Sequence, residues 1–156
     1  MYKKVLVPLD GFELAENIIE HVSEMIAGGH VLEVALLTVV EAYDKGLPST
    51  TWGGVKYSER RATLTGEAMT EAREYLEKIA DGLEQEGIVI TPVVIQGKVA
   101  EEILDYAIDN QVDLIMMCTH GRSGPSRWAL GSVADRVIRH SPIPVFIITP
   151  QGSRLG

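Results

Sequence analysis

The residues best suited to chemistry lie together near the end of the chain, in residues 118–133, CTHGRSGPSRWALGSV. Its glycines Gly121, Gly124 and Gly131 allow close approach of main chain to a ligand, and Arg122 and Arg127 supply cations for phosphate oxygens. Gly131 and Ser132 precede a helical pattern, and the first turn of a helix offers unpaired N–H groups and a partial positive charge. This stretch therefore predicts a phosphate site, although glycine and serine before a helix also form caps that hold no ligand.

A second candidate residue, Asp10, follows the first predicted strand, which ends in Pro8 and Leu9. Its carboxylate could accept hydrogen bonds from ribose hydroxyls, face a phosphate-bound metal, or cap the first helix, and the residue type by itself favours the cap. The sequence contains neither the G-x-x-x-x-G-K-[ST] loop nor G-x-G-x-x-G after the first strand. Any nucleotide site must therefore be of another type.

The elements that position these residues alternate between short apolar runs and helical spacing of apolar residues. Helical spacing predicts four helices: the first ends at Gly28 and Gly29, the second is long and covers 58–86, the third follows Gly97, and the fourth is short and covers 132–139. Residues 41–57 contain glycines and a proline, show no periodicity and predict a flexible flap. The whole chain, 1–156, is predicted to form a single domain. The predicted strands are residues 3–9, 31–40, 88–95, 113–118 and 144–149.

This alternation predicts the fold class. Helices between strands imply parallel pairing with right-handed crossovers, and near-continuous apolar strands imply a sheet covered on both sides. We therefore expect an α/β fold, a single-domain open five-stranded parallel sheet with helices on both faces. Ligands bind such sheets beyond the carboxyl ends of the strands, which would gather Asp10, residues 39–41 and the loop 119–131 around one crevice.

Composition and charge argue against several classes of protein. The chain has 156 residues, 46% of them hydrophobic, and a net charge of −8, which excludes a disordered chain and argues against binding to nucleic acid. Residues 1–110 carry a net −11 and residues 111–156 a net +3, which indicates either a small-anion site or a solvated basic face. One cysteine forms no internal disulfide and favours the cytoplasm, and no apolar run is long enough for a membrane.

Over its full length the sequence resembles the universal stress protein family. The nucleotide-binding branch of that family carries G-2X-G-9X-G-[S/T] after the fourth strand, and the matching positions here are Cys118, Gly121, Gly131 and Ser132. Cysteine thus replaces the first glycine. The V-P-L-D start, the T-H-G-R-S-G loop and the closing P-V-F-I-I strand are also similar to the family.

The resemblance implies a Rossmann-like, adenine-nucleotide α-hydrolase-like fold and a set of nucleotide contacts. Adenine and ribose would be bordered by Pro8, Leu9 and Asp10, and the base would be contacted by Val39 through main chain and side chain. The ribose and first phosphate would be followed by Thr119, His120, Gly121 and Arg122. The distal phosphates would be faced by Gly131, Ser132 and Val133.

The resemblance further implies a cytoplasmic regulatory protein of stress adaptation that binds ATP, or AMP or ADP, with Mg²⁺ or Mn²⁺ held by the phosphates. It implies at most weak ATP hydrolysis and a homodimer formed by the last strand, from Pro144 to Thr149. Two alternatives stay open. Cys118 in the motif suggests a dimeric module that binds no nucleotide, and the fold also allows a hydrolase, although the loop contains no lysine and no general base with a partner.

Overall fold

The structure is a computed structural model that describes residues 2–10, 17–41, 54–85, 87–119 and 131–149, with the main chain alone over 54–65. Strands and helices alternate, as the apolar patterns predict. The elements are β1 (Tyr2–Pro8), α1 (Asn17–Ala27), β2 (Val31–Val40), α2 (Gly54–Leu83), β3 (Val89–Gln96), α3 (Val99–Asp109), β4 (Leu114–Cys118), α4 (Ser132–His140) and β5 (Val145–Ile148).

The five strands form one parallel sheet in the order β3-β2-β1-β4-β5. From β1 the chain first builds outward through β2 and β3, and then returns to place β4 and β5 on the other side. The order therefore reverses between β1 and β4. The predicted open five-stranded parallel sheet is confirmed, and the reversal marks where such sheets bind ligands.

Apolar side chains cover both faces of the sheet, because successive residues of a strand point to opposite sides. On the α1/α2 face, Val5 packs with Ile18 of α1 and Leu76 of α2. On the α3/α4 face, Leu6 packs with Ile103 of α3 and Val137 of α4. These two cores explain why the strands read as almost continuous apolar runs.

The long helix α2 starts earlier and ends earlier than the sequence predicts. It runs from Gly54 to Leu83 rather than over 58–86, so the last residues of the predicted flap, 54–57, are helical. No glycine or proline lies between Gly54 and residue 58, so nothing in the sequence stops the helix from extending back to that glycine. Gly87, with φ +87°, turns the chain towards β3. Residues 42–53 of the predicted flap lie outside the described residues.

Polar contacts close the amino-terminal edge of the sheet. Asp113, just before β4, accepts hydrogen bonds through Oδ2 from the main-chain N–H groups of Lys3 and Lys4, each at 2.9 Å. Lys4 Nζ lies 3.5 Å from Glu33 Oε2 and 5.8 Å from the centre of the Tyr106 ring. These contacts join β1, β2, β4 and α3 at the edge opposite the carboxyl ends of the strands.

Candidate functional site

The candidate crevice lies between β1 and β4, where the strand order reverses. These strands pair only at Val5 with Leu114 and at Leu6 with Ile115. Beyond that point β1 continues to Pro8 and β4 continues to Cys118 without further pairing between them. The candidate crevice is therefore bordered by groups at the carboxyl ends of these two strands.

On the β1 side, two hydrogen bonds hold the residue that follows the strand. The Leu9 N–H donates to the Leu37 carbonyl at 2.8 Å, and the Thr38 hydroxyl donates to the Leu9 carbonyl at 3.0 Å. Leu9 and Thr38 are both buried, whereas the next residue, Asp10, is exposed. The path of the chain into Asp10 is thus fixed by β2.

On the β2 side, the main chain of Val39 faces the end of β1. The polar groups of alternate residues in a parallel strand point to opposite neighbours. The Leu37 carbonyl accepts from Leu9 on the β1 side, and the Val40 carbonyl accepts from the Gly97 N–H at 3.0 Å on the β3 side. The N–H and carbonyl of Val39 therefore point towards β1, one step beyond the last pair of that ladder, Pro8 with Leu37.

On the β4 side, Cys118 is a packing residue. Its side chain is 8% exposed and belongs to the core of the α1/α2 face, with Val7 and Ile18. Burial raises the pKa of the Cys118 thiol; the main-chain N–H of Ile18 opposes that shift, and the Asp10 carboxylate adds to it. The thiol therefore stays neutral near pH 7 and lies on the face of the sheet opposite α4.

The residue after Cys118 ties β4 to the edge strand. Thr119 is buried, and its N–H donates to the Ile148 carbonyl of β5 at 3.0 Å. The chain therefore leaves the sheet only after Thr119.

The N-terminus of α4 lies at the same edge, because a helix that follows a parallel strand begins at that strand's carboxyl end. Gly131 is the N-cap residue, and its carbonyl accepts from the Asp135 N–H at 2.9 Å. Its φ of −53° and ψ of 150° are open to any residue, so the conformation does not require glycine. Without a side chain, Gly131 supplies no capping oxygen to the N–H groups of Val133 and Ala134.

Two arginines of the basic C-terminal region are paired with carboxylates. Arg136 of α4 lies 2.7 Å from Glu101 of α3, and Arg139 Nε lies 3.0 Å from Asp135 Oδ2 one turn earlier in α4. All four side chains are substantially exposed. For these two arginines, the structure supports the solvated-face interpretation of the basic region and not the small-anion site.

The structure places nine of the predicted site residues at the carboxyl edge of the sheet or at the start of α4. These are Pro8, Leu9, Asp10, Val39, Cys118, Thr119, Gly131, Ser132 and Val133. The predicted residues His120, Gly121, Arg122, Gly124 and Arg127 lie outside the described residues.

Thr38 is a residue of this edge that the sequence analysis missed. The available signal was its hydroxyl within the otherwise apolar run 34–40. A lone hydroxyl in a central strand needs a hydrogen-bond partner, and the structure supplies the Leu9 carbonyl.

At the described part of this edge, Asp10 and Ser132 are exposed and carry a carboxylate and a hydroxyl, and main-chain groups lie beside them. Over the described ranges, no three histidine, cysteine, aspartate or glutamate side chains come close enough together to hold a metal ion. No helix in those ranges combines the length and the apolar character that crossing a bilayer requires.

The relationship of this chain to known proteins follows from a family model. Residues 1–149 match the model described as the Universal stress protein family. The chain belongs to the universal stress protein family. The resemblance inferred from the motif at 118–132 and from both ends of the sequence is thereby confirmed.

Curated relatives match over nearly the whole chain. Universal stress protein MJ0531 of Methanocaldococcus jannaschii is 33% identical over 150 residues, which are 95% of this chain and 82% of that protein. Universal stress protein MJ0577 of the same organism is 31% identical over 159 residues, which cover 98% of each chain. The universal stress protein similarity therefore extends through both halves of the sheet.

Solved structures share the fold. The structure of MJ0577 superposes with a TM-score of 0.78 at 32% identity and covers 97% of this chain and 99% of that one. A universal stress protein from Arabidopsis thaliana, solved with AMP bound, has a TM-score of 0.62 at 15% identity, with 96% and 93% covered. At that identity the second comparison shows the fold alone.

Proposed function

We propose that this universal stress protein binds an adenine nucleotide, ATP or AMP, in the crevice between β1 and β4, and that it acts as a regulatory protein. One observation carries the proposal above all. The helix that opens at the crevice starts at Gly131, a position whose ordinary backbone conformation would accept a capping side chain but has none.

The phosphates would occupy the position that a cap leaves open. The N–H groups of the first turn of α4 point out of the helix and carry its partial positive charge, which favours an anion. The exposed hydroxyl of Ser132 adds a donor beside them. The neighbouring acidic residue Asp135 is paired with Arg139, which weakens its repulsion of a phosphate.

The nucleoside would lie across the ends of β1 and β2. The Val39 N–H and carbonyl point to the space beyond Pro8, where they can pair with the ring nitrogen and amino group of adenine. Asp10 is exposed at the end of β1 and carries the acceptor that ribose hydroxyls need. The universal stress protein from Arabidopsis thaliana that was solved with AMP bound has the same fold.

We propose binding rather than catalysis because, besides the Asp10 carboxylate, the described part of the crevice holds few groups that could transfer a proton. The Cys118 thiol is buried and neutral, and Asp135 is engaged by Arg139. A magnesium or manganese ion would take its ligands from phosphate oxygens and water. Any ATP hydrolysis would accordingly be weak.

The direct test is the small molecule that the purified protein carries. We expect chromatography of the denatured protein to show a bound adenine nucleotide, and calorimetry with ATP and AMP, each with and without Mg²⁺, to show saturable heat. Gly131→Val should lose that heat while keeping the fold and a cooperative unfolding transition, since valine adopts the same φ and ψ but fills the phosphate position. Neither nucleotide nor heat, for both ATP and AMP, would favour a module that acts by protein contact alone.

We also propose a homodimer formed through the last strand, from Pro144 to Thr149. The strand order leaves β5 at an edge of the sheet, and its Phe146 side chain is 44% exposed. Ile138 on the neighbouring helix α4 is 41% exposed. A second β5, paired antiparallel, would satisfy the open edge and cover Phe146. Light scattering during size-exclusion chromatography should give twice the chain mass of 17.1 kDa.

A cytoplasmic location completes the proposal. The lone cysteine, Cys118, is buried and free, as in proteins of reducing compartments. Fractionation of cells that express the protein should recover it with cytoplasmic markers, and recovery with a membrane or exported fraction would contradict the location.

A further inference from the structure

The Thr38 hydroxyl donates to the Leu9 carbonyl at the position where the next hydrogen bond of the parallel ladder between β1 and β2 would form. Leu9 keeps the first bond of the next ladder step, from its N–H to the Leu37 carbonyl. The second bond of that step would run from the Val39 N–H to the Leu9 carbonyl and would pair Leu9 with Thr38. The pairing ends instead at Pro8 with Leu37, and the Thr38 hydroxyl donates to the Leu9 carbonyl.

This exchange of donors has a consequence for the crevice. A buried carbonyl needs a donor, and the Leu9 carbonyl obtains it from a side chain, at 3.0 Å. The Val39 N–H points to the same side of β2 and lies beyond the last pair of the ladder.

We propose that Thr38 is a positioning residue for base recognition, whose hydroxyl occupies the Leu9 carbonyl and so keeps the Val39 N–H directed at the base. This inference rests on the proposed adenine-nucleotide function. It adds selectivity to it, because the N–H and carbonyl of Val39 match the ring-nitrogen acceptor and amino donor of adenine. Guanine presents a ring N–H and a carbonyl oxygen at the corresponding positions and would face like groups.

Substitution at residue 38 separates this role from packing. Thr38→Val removes the hydroxyl donor and keeps the shape of the buried side chain. Thr38→Ala removes the same donor together with the rest of the side chain beyond Cβ. Thr38→Ser keeps the hydroxyl and is the matched control. Without the side-chain donor, the Leu9 carbonyl should recruit the Val39 N–H, which extends the ladder by one step and withdraws that N–H from the crevice.

Calorimetry with three ligands measures the effect. For Thr38→Val and Thr38→Ala we expect the affinity for ATP to fall about tenfold, as for one lost hydrogen bond of ordinary strength, and the preference for ATP over GTP to fall with it. The affinity for inorganic tripolyphosphate, which lacks a base, should stay within about twofold of the wild type. Thr38→Ser should bind all three ligands as the wild type does, again within about twofold.

Hydrogen exchange gives a readout without ligand. In Thr38→Val the Val39 N–H should exchange about tenfold or more slowly than in the wild type, because it gains a main-chain acceptor. An unchanged exchange rate at Val39, or equal losses of ATP and tripolyphosphate affinity, would overturn the positioning role. If the wild type binds ATP and Thr38→Val binds it equally well, this inference alone fails. If the wild type binds no ATP, the proposed function fails and this role fails with it.

Discussion

Replacing Gly131 with aspartate should make the protein more stable and at the same time abolish nucleotide binding. At φ −53° and ψ 150°, the N-cap position of α4 accepts aspartate without strain. The new carboxylate would accept hydrogen bonds from the first-turn N–H groups and would face the partial positive charge of the helix. Those are the interactions that we assign to a bound phosphate, so the side chain competes with the ligand.

Gly131→Asp should raise the unfolding free energy slightly and lower the ATP affinity strongly. Aspartate in place of glycine at an N-cap gains a few tenths of a kcal/mol, and its charge beside the helix dipole adds about 0.3–1 kcal/mol, so we expect about 0.5–1 kcal/mol. A carboxylate about 4 Å from a phosphate charge, at an effective dielectric constant of about 20, repels it by about 4 kcal/mol. That repulsion corresponds to about a thousandfold loss of ATP affinity.

The assay pairs urea unfolding with ATP calorimetry, and Gly66→Ala is the matched control. Gly66 lies within α2, and a Cβ added there meets no atom within 4 Å. Alanine at this position should raise the unfolding free energy by about 1 kcal/mol, since glycine is the poorer helix former. The control therefore gains similar stability and should keep the wild-type affinity for ATP.

Two results would refute the reasoning in different ways. If Gly131→Asp gains stability but binds ATP within threefold of the wild type, the phosphates do not sit at the start of α4. If it loses stability, the new carboxylate does not cap α4. A loss of affinity in the Gly66→Ala control would show that stability and binding are coupled globally.

Three further predictions test other parts of the structure. Asp113→Ala should lower the unfolding free energy by about 1–2 kcal/mol, because the N–H groups of Lys3 and Lys4 lose a charged acceptor, and should leave ATP affinity unchanged at the opposite edge of the sheet. The raised pKa of Cys118 adds stability that is complete below the ordinary thiol pKa of about 8.5 and is lost as pH rises through the raised value. The free energy of unfolding measured with urea should therefore fall from about pH 7 to 10, and it should fall less steeply in Cys118→Ala. The same pH dependence in Cys118→Ala and the wild type would contradict the burial of the thiol. Phe146→Asp, which places a charge on the exposed face of β5, should convert the proposed dimer to a monomer in light scattering, and an intact dimer would move the interface elsewhere.

Local patterns were enough to predict the elements of this universal stress protein. Apolar runs marked β1 to β5 within a residue or so at each end, because each strand must bury both faces and therefore carries few polar residues. The alternation of strand and helix also predicted parallel pairing, and with it the carboxyl edge as the place of the candidate site. The resemblance to the family rested on the motif at residues 118–132 together with the V-P-L-D start and the closing P-V-F-I-I strand, and the family model confirms it.

Tertiary structure decided the features that join residues far apart in the chain. The order β3-β2-β1-β4-β5, which places the crevice between β1 and β4, depends on pairing between strands and leaves no periodic signal in any one of them. The same holds for the face on which Cys118 packs and for the hydrogen bond between Thr38 and Leu9, residues 29 positions apart. Periodicity records how each segment is buried, whereas the donor that meets a given carbonyl depends on which segments become neighbours.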